Sequence, residues 1–150
     1  MGKKILWTYT KNKVVHANTF NGYTLGLTAA KATLEILSSN EDVYKYMESQ
    51  FIKITGAFQQ EAKKYNFNIN ILGHPTCSAF DCSSWDENDR FDSKTLNTVL
   101  SRTMLEEGIL LSNTTTFYSN ISITDDDIEL FKSRLPNVFN AAVAKIEKLK

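Results

Sequence analysis

A chain of 150 residues is long enough for one domain with a real core, since a protein of this size buries roughly two thirds of its unfolded surface. With 42% hydrophobic and 23% charged residues, 6 Gly and 2 Pro, it falls outside the disordered and collagen-like classes. Lys plus Arg total 17 and Asp plus Glu total 17. That balance offers no global basic field for nucleic acid or an anionic membrane, and little self-repulsion to oppose association.

Residues 1–20 carry polar and β-branched side chains without a helical stripe and read as an extended or irregular arm. Asn21-Gly22 signals a turn, so the chain divides into an arm and turn over 1–22 and a domain over 23–150 that opens with a linking helix. In that helix Leu25, Leu27, Ala29, Ala30, Ala32, Leu34, Ile36 and Leu37 occupy nearly every face, a pattern that predicts burial on more than one side. A second helix should begin near Asn40-Glu41-Asp42. Its stripe of Val43, Met47, Phe51, Ile54, Phe58, Ala62 and Tyr65 steps by three and four.

Asn68-Ile-Asn-Ile-Leu72 alternates as a strand does, with a turn at Gly73-His-Pro75 and a partner strand over 76–82. The polar run 83–92 reads as a loop whose end, Asp92 or Ser93, caps a third helix. That helix carries Leu96, Val99, Leu100, Thr103 and Met104 on one face and stops at Gly108. Residues 109–111 and 118–123 look like two short strands. Thr124-Asp-Asp-Asp127 opens the last helix with a capping hydroxyl and three acids, and Pro136 should interrupt that helix or begin a new one. The order of elements predicts an α+β fold: a small, mainly antiparallel sheet with helices packed on one face.

Candidate chemistry is sparse. His74, Cys77 and Cys82 are zinc-ligand types, but two cysteines five apart on a strand point to opposite faces, and the reading favours ordinary strand residues. Asp81, Asp86, Glu87, Asp89 and Asp92 lack the spacing of a calcium loop. Asp125, Asp126 and Asp127 are accounted for as helix N-terminal charge. There is no Gly-x-Ser-x-Gly elbow beside His16 or His74 and no glycine-rich phosphate loop. Two cysteines are too few for a disulfide framework. The N-terminal segment has no apolar signal core, and no window approaches a membrane span, so the expected compartment is the cytoplasm.

The most specific segment is His16-Ala-Asn-Thr-Phe-Asn-Gly-Tyr-Thr-Leu-Gly-Leu-Thr-Ala-Ala-Lys-Ala-Thr-Leu-Glu-Ile-Leu37. It resembles the Thr-Phe-x-Gly-Asn-Pro turn and following Ala-rich helix of class III aminotransferases, in particular the glutamate-1-semialdehyde aminomutase-like branch. Further segments are similar in the same order: residues 2–6, Leu72-Gly-His-Pro75, Glu106-Glu-Gly-Ile-Leu110 and Ser122-Ile-Thr-Asp-Asp-Asp-Ile128. The resemblance thus runs along essentially the whole chain. It implies a C-terminal small domain of a fold type I pyridoxal-phosphate (PLP) enzyme.

In that family the motif threonine reaches across a dimer interface to the cofactor phosphate. Carried over, the cofactor-binding residues are Thr19, with Asn21 and Gly22 shaping the turn. A hydroxyl and turn amides ahead of a helix N-terminus suit a phosphate. The family's Schiff-base lysine lies further upstream than this chain extends, so the chain by itself is expected to be inactive and to contribute no catalytic residue. Tyr23-Thr24 replaces the family's Asn-Pro, and Ile123 replaces a histidine. The implied partners are a second copy or a missing N-terminal large domain, which would cover the extra apolar face of the helix that follows the turn. The alternative is a free-standing interaction or dimerisation domain without PLP chemistry.

Overall fold

The structure, a computed structural model, describes residues 22–86 and 91–149. The chain divides into a unit of residues 1–41 and a unit of residues 42–150. In the first, α1 (Thr24–Ser39) is a regular helix after the Gly22 turn. At 100° per residue its apolar side chains sweep roughly 220°, from Ala32 round to Leu27. The remaining stripe holds Thr24, Thr28, Lys31, Glu35, Ser38 and Ser39, with Lys31 and Glu35 paired at 3.7 Å. None of its residues is buried, and Leu25, Leu27, Leu34 and Ile36 are each at least 60% exposed.

The second unit contains α2 (Glu41–Lys64), β1 (Phe67–His74), β2 (Cys77–Trp85), α3 (Ser93–Glu106), β3 (Thr116–Tyr118) and α4 (Asp125–Glu147). The strands form one antiparallel sheet in the order β1-β2-β3. The fold is α+β, as the sequence predicts. Phe67, Ile69, Phe80, Cys82, Trp85 and Phe117 join a single core with Phe51, Phe58 and Ala62 of α2, Leu96, Leu100 and Met104 of α3, and Leu135, Val138, Phe139 and Ala142 of α4. Alternate strand residues Asn68, Asn70, Leu72, Cys77, Ser83 and Tyr118 are exposed. Phe58 is the hinge of the aromatic packing, with its ring 5.2 Å from Phe80, 5.8 Å from Phe117 and 5.4 Å from Phe139.

Four local expectations are corrected. First, β2 does not end at Cys82 but runs to Trp85. The register steps from Ile69↔Cys82 to Asn68↔Ser84, leaving Ser83 as an extra residue. That bulge lets Cys82 and Trp85, three apart, both face the core, and the broken alternation is why the segment reads as a loop.

Second, residues 109–111 form no strand; only Ser112 bridges, to Thr116. Third, β3 covers Thr116–Tyr118 rather than 118–123, where Asn120 instead folds its side chain back onto the Ser122 amide at 2.8 Å. Fourth, α4 continues through Pro136. The flanking Leu135, Val138 and Phe139 are fully buried, and the Pro136 carbonyl accepts from the Tyr65 hydroxyl at 3.4 Å. Tertiary packing therefore outweighs the roughly 3 kcal/mol that an interior proline costs a helix.

Two ends behave as their residues dictate. α3 closes on Gly108 at φ +76, with the amides of Gly108 and Ile109 returning to the carbonyls of Leu105 and Met104. The Arg134 guanidinium donates to the Glu107 carbonyl at 2.6 Å, tying this terminus to α4. The β1–β2 turn requires glycine: Gly73 has φ +105, and a Cβ there would sit 2.8 Å from the Cys77 carbonyl oxygen.

Candidate functional site

Of the three residues expected at a phosphate, Thr19 and Asn21 lie outside the described residues, as does His16. Gly22 is described. It is exposed at φ +77, and a Cβ there would meet nothing within 4 Å. Backbone conformation, not crowding, is what asks for glycine at this turn. Tyr23 occupies the N-cap of α1 without a side-chain cap bond, and the first turn of the helix contains no acid. The positive end of this helix dipole is therefore not neutralised by a side chain of its own first turn.

The other helix N-termini with a described cap are filled by their own carboxylates. At α3 the Asp92 carboxylate accepts from the Thr95 amide at 2.6 Å, which holds its pKa below the usual carboxylate value. At α4 Thr124 and Asp127 form a reciprocal capping box. The Thr124 hydroxyl and amide, donating at 2.7 and 2.8 Å, pull the Asp127 pKa down. The acidic run Asp125–Asp127 thus serves the helix, as its sequence position predicts.

A second polar cluster joins α3 to the sheet. β3 pairs only with the first residues of β2, leaving the Cys82 amide on an open edge. The side-chain oxygen of Asn97 accepts from that amide at 2.8 Å, while the Asn97 nitrogen donates to Asp81 at 3.0 Å and to Ser93 Oγ at 3.2 Å. Ser93 also donates to Asp81. These two donors, the serine hydroxyl first and the asparagine amide second, keep the Asp81 carboxyl below its ordinary pKa. Asp81 thus accepts from two side chains of α3, and both favour its ionised form. Opposite Asn97 the hairpin tip bends through Asn113 at φ +47 and Thr114 at φ +72, a strained conformation for a β-branched residue.

A third cluster ties α2 to the start of α4. Gln50, only 2% exposed, donates through its amide nitrogen to the Tyr46 hydroxyl at 3.1 Å and to Asp125 at 3.3 Å. The Tyr46 hydroxyl donates to the Ile123 carbonyl at 2.6 Å, and Lys53 pairs with Asp125 at 2.7 Å. The Lys53 ammonium and then the Gln50 amide lower the Asp125 pKa. Among the described residues the Gln50 side-chain oxygen has no hydrogen-bond partner.

The metal-type residues are dispersed. His74 lies at the end of β1 with Nε2 3.6 Å from Glu48 and Nδ1 3.1 Å from the Thr76 hydroxyl. Cys77 is exposed and Cys82 is buried, the opposite orientations that their spacing predicts. Asp86 sits at φ +64 beyond β2, and Glu87 and Asp89 lie outside the described residues. Among the described residues no three His, Cys, Asp or Glu side chains converge on one point, and no helix is long and apolar enough to cross a membrane.

Local patterning does not mark Gln50 or Asn97 as organising residues, because the contacts that tie elements together, Gln50 to Asp125 and Asn97 to Cys82 and Asp81, span 75, 15 and 16 positions.

Comparison with solved structures gives the fold a context. The chain is similar to a solved transaminase, described as the product of directed evolution by ancestral reconstruction, with a TM-score of 0.65 over 95% of this chain at 16% identity. It covers 33% of that transaminase's length, so what is shared is the fold of about one third of the larger protein. No family model matches the sequence, and no curated protein matches it.

Proposed function

We propose that the chain is the C-terminal small domain, with a preceding arm and linking helix, of a PLP-dependent class III aminotransferase or aminomutase of the glutamate-1-semialdehyde aminomutase-like branch. The observation that carries this is the likeness of nearly the whole chain to one third of a transaminase. In this reading the domain closes an active site built chiefly from the other two thirds, and α1 packs its apolar arc on that large domain or on a second copy. The expected compartment is the cytoplasm.

Two features of the described part of the turn support a phosphate there. Gly22 is open and at positive φ, and the α1 N-terminus carries no acid in its first turn to compete with an anion. In the proposed site the Thr19 hydroxyl and the amides around Asn21 and Gly22 donate to phosphate oxygens, orienting the cofactor across a subunit boundary. When bound, PLP supplies an electron sink for chemistry at the carbon that bears the amino group. No residue of this chain is assigned to proton transfer.

Adding millimolar PLP to the isotope-labelled chain and following its amide NMR signals tests this. Shifts confined to residues 19–27, and lost in Thr19→Ala, are expected. Shifts scattered over surface lysines, or none, would remove the phosphate role. Reduction with borohydride after PLP addition, followed by intact mass, should leave no single stoichiometric lysine adduct. One such adduct would overturn the assignment of the covalent lysine to a different part of the protein.

The alternative is a free-standing dimerisation or interaction domain without PLP chemistry, which the exposed apolar arc of α1 suits equally. Under that reading the chain sediments as a dimer and ignores PLP.

A further inference from the structure

We draw no further inference here: the strongest candidate, the exposed apolar arc of α1 around Leu25, Leu27, Leu34 and Ile36, carries nothing further because nothing in the structure shows what covers it and both coverings already belong to the function proposed above.

Discussion

Replacing Asn97 tests whether one side chain closes the open edge of the sheet. In Asn97→Ala the Cys82 amide, in a residue with no exposed surface, loses an acceptor at 2.8 Å. An unsatisfied buried donor costs about 1–3 kcal/mol. Asp81 simultaneously loses one of its two donors, a smaller contribution because that carboxylate is only half-buried. The expected total is about 2–3 kcal/mol, read as a lower urea midpoint by far-ultraviolet circular dichroism with an unchanged m value.

Asn97→Asp sharpens the test. It keeps an acceptor for Cys82 but sets a second carboxylate where the amide nitrogen stood 3.0 Å from Asp81. At neutral pH it should be at least as destabilising as alanine, and adding Asp81→Asn should restore part of the loss, a coupling of about 0.5–3 kcal/mol. An alanine variant within about 0.5 kcal/mol of the parent would refute edge closure by Asn97, and a silent Asn97→Asp would refute the contribution of its contact with Asp81.

Phe58→Ala removes the ring that touches Phe80, Phe117 and Phe139 and should cost about 3–5 kcal/mol. Phe58→Leu should lose clearly less in the same denaturation assay. Two glycines should respond with opposite signs. Gly56→Ala, inside α2 with nothing within 4 Å of a new Cβ, should stabilise by up to about 1 kcal/mol, whereas Gly73→Ala meets the Cys77 carbonyl and should destabilise by about 1–3 kcal/mol. Thermal melts of the pair check both.

Asp81, Asp92, Asp125 and Asp127 have folded pKa values below the ordinary one, so the unfolded chain binds protons first as pH falls. Their stabilisation is complete above the unfolded value of about 4 and disappears as pH drops through the folded values. The urea midpoint should therefore fall on going from pH 5 to pH 3, and less so in Asp127→Asn; a flat profile would contradict the capping geometry.

What was legible followed from periodicity and end signals. The α2 stripe places Val43, Phe51, Phe58 and Ala62 in the core, and the Thr124–Asp127 box and the Gly108 stop fall where their residues require. What was not legible depends on contacts distant in sequence. Ser83 breaks the alternation of β2, so Trp85 looks like loop until its pairing with Phe67 is known. Pro136 reads as a break because helix propensity carries no information about the buried Leu135 and Phe139 on either side. Of the candidate site, Gly22 announced itself by its turn and occupies it, while Thr19 and Asn21 remain assigned by resemblance alone.

The opposite settings of the two thiols give the domain a built-in clock. Cys77 is exposed and open to a thiol reagent, while Cys82 has no exposed surface and its sulfur lies 3.4 Å from the Ser84 carbonyl. Modification at Cys82 has to wait until β2 separates from the helices behind it. The ratio of the two labelling rates within one sample therefore reports how often the core opens under native conditions.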